Sequence, residues 1–134
     1  MPGQPNQPLL NFDVTNLTVV DSGQTPNLVI GRTEAFSVTV DFKFGGLLAS
    51  WLMGLGVNCA VRVKYESLGE GPEGTWGPAT VITVAGQPAY TGTINVPANH
   101  FAAGEEGAYK LVGTVTVPGS PIAGYFEGPI LQII

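Results

Sequence analysis

A chain of 134 residues with 10 Asp and Glu against 5 Lys and Arg, net −5, fits one domain and lacks the excess of positive charge that tracks phosphate backbones or anionic lipid headgroups. Only 11% of its residues are charged, against roughly 25% in an average soluble domain, while 44% are hydrophobic, so a large share of its surface is expected to be neutral and prone to association. Its 19 Gly and 11 Pro punctuate the chain as short strands require, which predicts an all-β domain.

The chain opens with MPGQPNQPLL, residues 1–10, where Pro2, Pro5 and Pro8 predict an extended, unpaired arm ahead of a domain over residues 11–134. This start has neither the basic region nor the apolar stretch of a signal peptide. Cys59 is the single cysteine and cannot form an internal disulfide, so the chain is expected in a reducing, cytoplasmic setting.

The first strand is predicted over FDVTNLTVVD, Phe12 to Asp21, with a slip in its apolar phase within Phe12 to Val20 that calls for a bulge or a change of sheet. After the turn SGQTPN comes a short strand, LVIGR. The segment AFSVTVDFKF then alternates cleanly: Phe36, Val38, Val40, Phe42 and Phe44 share one face, Ser37, Thr39, Asp41 and Lys43 the other. Between it and the next alternating strand, VNCAVRVKYE, lies the uncharged run GGLLASWLMGLG, Gly45 to Gly56. Further strands are predicted over residues 79–84, 90–96, 109–117 and 125–134, seven or eight in all, each bounded by Gly or Pro turns, as in a sandwich or barrel. No apolar stretch approaches the ~20 residues of a membrane-spanning helix.

The segment EEGAYKL carries Glu105, Gly107 and Tyr109 at alternate positions, and so resembles the tyrosine corner of immunoglobulin-like domains. That resemblance implies a single antiparallel immunoglobulin-like or fibronectin type III-like β-sandwich with a short apolar helix or loop between its second and third strands. Leu111 stands where the family's disulfide cysteine would be, and Val38 or Val40 opposite it would supply packing instead. The tryptophan expected on the third strand is missing, its place left to Cys59 or Val61. Such folds carry adhesion, assembly, carbohydrate-binding and accessory roles alike, so the fold does not choose among them.

Enzyme chemistry finds little support. His100 is the only histidine and sits in a loop, Cys59 falls on the inward phase of a strand, and no nucleophile elbow, phosphate loop, dinucleotide fingerprint or zinc motif occurs. No cofactor is implied. Glu66, Glu70 and Glu73 in ESLGEGPEGTWGP offer oxygen ligands suited to Ca²⁺, though without the Asp/Asn spacing of a calcium loop; the alternative is a solvated turn. Trp76 with Tyr65 and Tyr90 offers a sugar-stacking platform, the basis of an alternative function as a carbohydrate-binding module, or else closes the end of a core. Asn16-Leu17-Thr18 is a glycosylation sequon in pattern only.

The apolar run is the main functional clue. As a helix over 47–55, it would place Leu47, Leu48, Trp51, Leu52 and Leu55 on one broad stripe with Ser50 and Met53 elsewhere, and the flanking glycines would end it. That stripe either caps the core or, with Met53, forms an association surface; insertion into a membrane is the weakest option, because flanking Lys and Arg are absent. The last strand, GPILQII, is apolar on both phases through Ile130, Leu131, Ile133 and Ile134, and needs a cover: the domain's own first strand, a neighbour's arm or a second subunit. The leading expectation is a non-enzymatic interaction or assembly module, self-associating as a homo-oligomer through Leu47, Leu48, Trp51, Leu52, Met53, Leu55, Ile130 and Ile134.

Overall fold

Strict alternation decides the long strands of the computed structural model, which describes residues 9–134. Of the expected arm, only Leu9 and Leu10 fall within the described residues. Strand β3 (Phe36–Gly45) buries all five of its alternating aromatic and valine side chains, and pairs antiparallel with β1 (Asn11–Val20) on one side and β6 (Ala89–Val96) on the other. The second sheet runs in the order β2 (Val29–Ile30), β8 (Ala123–Ile133), β7 (Gly107–Thr116), β4 (Asn58–Ser67), β5 (Gly74–Ile82). A short helix, α1 (Ala49–Gly54), joins β3 to β4 and is the one α-helix among the described residues. The result is an all-β sandwich of eight strands in two sheets, with the short apolar helix where the sequence predicts a helix or loop.

The slip in β1 is a bulge at Thr15, between the pairs Val14–Phe42 and Asn16–Asp41. It moves burial from the even positions Phe12 and Val14 to the odd positions Leu17 and Val19. The chain then changes sheet, since β2 runs parallel to the end of β8.

Strand β5 begins five residues before the expected Ala79, inside the stretch read as an acidic loop. Its Gly77-Pro78 looks like a turn in sequence but forms a bulge, with Val61 opposite Ala79 and Val63 opposite Trp76. Gly77 is required there: its φ is +101°, and a Cβ would lie 2.8 Å from the Val61 carbonyl oxygen. The one extra residue shifts the phase of the strand, so Trp76 points inward. The tryptophan missing from β4, where Cys59 and Val61 are fully buried, thus reaches the core from the neighbouring strand.

The tyrosine corner is present: Tyr109 is completely buried and its hydroxyl donates to the Glu105 carbonyl. Leu111, Val38 and Val40 are equally buried, so apolar packing fills the region that a disulfide would cross.

The two sheets approach closely at Gly92. A Cβ there would lie 2.6 Å from Val61 Cγ2. Gly92→Ala is therefore expected to destabilise the fold by about 1–3 kcal/mol through overpacking, read as a lower urea midpoint at unchanged strand content. An unchanged or higher midpoint would show that the sheets can separate freely at this point.

The turn after β1 is organised by Asp21, whose carboxylate accepts from the amides of Gly23 and Thr25 (3.0 Å each) and from Asn27 Nδ2 (3.3 Å). These bonds, that from Thr25 foremost, hold its pKa below the usual aspartate value. A depressed folded-state pKa adds stability above the unfolded-state value and loses it as the pH falls through the folded one. The wild-type unfolding midpoint is thus expected to fall from neutrality toward and below about pH 4, and Asp21→Asn to flatten that slope. Parallel slopes for the two proteins would rule out the contribution.

Candidate functional site

The distinctive surface lies at the end of the sandwich where β3 leaves and β4 begins. Gly46 starts the connection at φ +94°, and a Cβ there would lie 2.7 Å from the Leu9 carbonyl oxygen. That same carbonyl accepts the Leu48 amide at 2.8 Å, which ties the start of the domain under the helix. Helix α1 has neither a side-chain cap nor a charge, and it ends in Leu55 and in Gly56 at φ +64°.

Two side chains and a small polar network hold this helix. Leu52 and Met53 (2% exposed) point into the core. The Met53 carbonyl accepts from Thr83 Oγ1 (3.2 Å), which in turn accepts the Val57 amide (2.7 Å). The Tyr90 hydroxyl accepts from the Val84 amide (2.9 Å) and lies 3.2 Å from both the Val84 carbonyl oxygen and Met53 Sδ. These ties rotate the helix so that Ala49, Leu52 and Met53 face inward, and not the stripe through Leu47, Leu48, Trp51, Leu52 and Leu55. Leu52 and Met53 are thereby corrected from interface to core, because six residues offer one narrow inner edge and the bonds to Thr83 and Tyr90 select it.

The other apolar residues of the run face water. Leu47 is 67% exposed, Trp51 64% and Leu55 57%, with Leu48 less so. Ile82, whose Cγ2 lies beside Gly56, and Val84, held by Tyr90, extend the exposed apolar surface onto the end of β5. The strand register puts the β7–β8 turn at this same end, through Ala60 opposite Thr116. No Asp, Glu, Lys or Arg occurs in residues 44–61, 74–104 or 111–126, and the nearest charges on β1 and β3 are Asp13 and Lys43, opposite one another two residues in from Asn11 and Gly45. The helix and the residues that flank it form an apolar surface with no charge of its own.

The remaining candidates lie elsewhere. Ile130 and Ile134 are exposed, but β8 runs away from the helix, so they sit toward the opposite end of the sandwich. The cover expected for the last strand comes partly from the domain itself: β2 pairs with Gln132 and Ile133, and the Ile134 carbonyl accepts the Arg32 amide at 2.7 Å. Leu131 and Ile133 take the inward phase.

Tyr65, Trp76 and Tyr90 are all buried, which corrects the sugar platform. Tyr65 and Trp76 stack on one another with centroids 4.5 Å apart, Phe36 meets Trp76 edge-on at 5.5 Å, and Tyr90 stacks on Phe42 at the other end. Trp76 Nε1 donates to His100 Nε2 at 3.0 Å, with the Tyr65 hydroxyl 3.2 Å from the same nitrogen. An indole N–H only donates, so this nitrogen accepts, and His100 serves the aromatic cluster. Burial pushes the Cys59 thiol up, away from a reactive thiolate. Among the described residues, no three His, Cys, Asp or Glu side chains gather as a metal site would need, so Glu66, Glu70 and Glu73 do not converge.

No family model and no curated protein matches this chain. Among solved structures it is similar to the C-terminal domain of Wzt, at 10% identity and a TM-score of 0.57, covering 98% of this chain and 80% of that one. It is also similar to the CARDB domain of the PF1109 protein from Pyrococcus furiosus, solved with di-metal ions, at 19% identity and a TM-score of 0.46, covering 98% and 97% of the two chains. The likeness to the Wzt domain concerns the fold alone, an all-β domain.

Proposed function

We propose that this domain is a non-enzymatic assembly module whose uncharged end, centred on Trp51, Leu47 and Leu55, binds another copy of the chain. The supporting observation is the contrast between a helix fixed from beneath by Thr83 and Tyr90, which hold its Met53, and an outer face that leaves its tryptophan and three leucines in water. A lid needs to turn its apolar side chains inward, and this one turns in two. Covering each exposed large side chain contributes on the order of 1–2 kcal/mol, set against the ordering costs of association. The absence of charge means that two such ends can meet without stranding an ion at the contact. The position of Ile130 and Ile134 on the far side leaves the C-terminal strand out of this surface.

Light scattering across a concentration series tests the reading. The wild type is expected to exceed the 13.9 kDa of one chain increasingly with concentration. Trp51→Glu is expected to yield a smaller defined species with unchanged strand spectrum and, at dilutions where the contact is dissociated, an unchanged unfolding midpoint. A wild type at 13.9 kDa throughout, or a Trp51→Glu variant of unaltered mass, would overturn it.

A further inference from the structure

The free edges of the two sheets are not equally protected. Exposed edges are normally blunted by proline, charge or a bulge, because their unpaired amides and carbonyls recruit other strands. Strand β5 carries the Gly77-Pro78 bulge, β1 a bulge and Asp13, and β8 Glu127, Pro129 and the covering strand β2. Strand β6, AYTGTINV, has none of these over its length, and its pairing with β3 is unbroken.

Register identifies which of its groups are free. The Phe44 amide donates to the Pro88 carbonyl, so the hydrogen-bonded pairs with β3 fall at Tyr90, Gly92, Ile94 and Val96. The amides and carbonyls of Thr91, Thr93 and Asn95 therefore point away from the sheet. Ala89 is partly closed by its own turn, its carbonyl accepting from Gln87 Nε2 at 3.0 Å.

We infer that β6 is a strand-addition site whose occupant is β6 of a second copy, running antiparallel about a two-fold axis through Thr93. In that register Thr93 faces Thr93 of the second copy and Thr91 faces its Asn95, so every outward-pointing amide and carbonyl of these residues finds a partner. Side chains agree with the backbone. Thr18, Thr39 and Thr93 already form a row across the outer face of the sheet, and the axis continues that row through its mirror sequence in the second copy, with Thr–Thr neighbours throughout. Asp41, held by Thr91 Oγ1 at 2.6 Å, would face the neutral row Asn95–Ser37 of the other copy, so no like charges oppose one another. A foreign strand could use the backbone groups, but the match of the side-chain rows is specific to a second copy.

This contact stands independently of the apolar end. Where both operate, each chain has two separate self-complementary surfaces, and copies join alternately end to end and edge to edge into an open chain.

Thr93→Lys places two cations at the axis while leaving the protomer's own bonds intact. It is expected to reduce the light-scattering mass to that of the end-to-end dimer, whereas Trp51→Glu leaves the edge-to-edge dimer and the double variant gives 13.9 kDa. Thr93→Cys is expected to form a covalent dimer on mild oxidation, since facing residues of a hydrogen-bonded pair lie about 5.5 Å apart, within disulfide reach. Cys59 is fully buried and does not compete, and Thr80→Cys on the blunted β5 edge is expected to stay monomeric on the same gel. A Thr93→Lys protein of wild-type mass, or equal cross-linking at positions 93 and 80, would overturn the inference. A Trp51→Glu variant that still dimerises and cross-links through position 93 would leave it standing even if the apolar end proved inert.

Discussion

Trp76→Ala is expected to cost about 3–5 kcal/mol of stability, the range for truncating a large buried aromatic, and to lower the urea midpoint accordingly. The ring is 6% exposed, stacked on Tyr65 and met edge-on by Phe36. Its indole N–H is bound to His100, which anchors a loop residue to the core at the end opposite the helix. Trp76→Phe should recover part of the loss, because it restores ring volume without the hydrogen bond. The outcome also bears on carbohydrate binding. Loss of a ligand in Trp76→Ala would report unfolding unless the midpoint were unchanged, and an unchanged midpoint would contradict the buried position.

Leu52→Glu and Trp51→Glu, one residue apart, are expected to behave oppositely. Leu52 lies under the helix beside Met53, and losing its side chain alone costs about 2–5 kcal/mol. A carboxylate there must also be neutralised or dragged into water, so Leu52→Glu is expected to unfold or to lose the helix. Trp51 faces solvent, and Trp51→Glu is expected to keep the midpoint of the wild type at dilutions where the contact is dissociated, while lowering the associated mass at higher concentration. Thermal unfolding beside light scattering separates the two effects. Equal destabilisation by both variants would mean that Trp51 closes the core and that the surface is a lid.

Much of the fold was legible along the chain. A strand with one buried face writes its period directly into the sequence, as Phe36 to Phe44 and Val57 to Glu66 do. The spacing of Glu105, Gly107 and Tyr109 marks the corner, where the Tyr109 hydroxyl returns to the carbonyl four residues upstream. The bulge in β1 was visible as a phase slip. The start of β5 was not, because Gly77-Pro78 has the composition of a turn, and only pairing with β4 shows that the chain continues through it as a strand.

The candidate surface divides along similar lines. Composition alone marked Gly45 to Gly56 as uncharged and apolar, and period alone allowed a short helix. Neither could set the helix's rotation. A segment of six residues has several nearly equivalent ways to face a core, and the choice rests on partners far away in sequence, Thr83 and Tyr90. Those partners sent Met53 inward and left Trp51 outside. The separation of Ile130 and Ile134 from the helix, the burial of Tyr65, Trp76 and Tyr90, and the unprotected edge of β6 are likewise consequences of which strands neighbour which. The sequence by itself determined the strand class, the corner and the neutrality of one end, since these depend on local period and composition. Tertiary structure alone decided which side chains of that end meet water and which edge is free, since burial and pairing are properties of neighbours that the chain brings together only on folding.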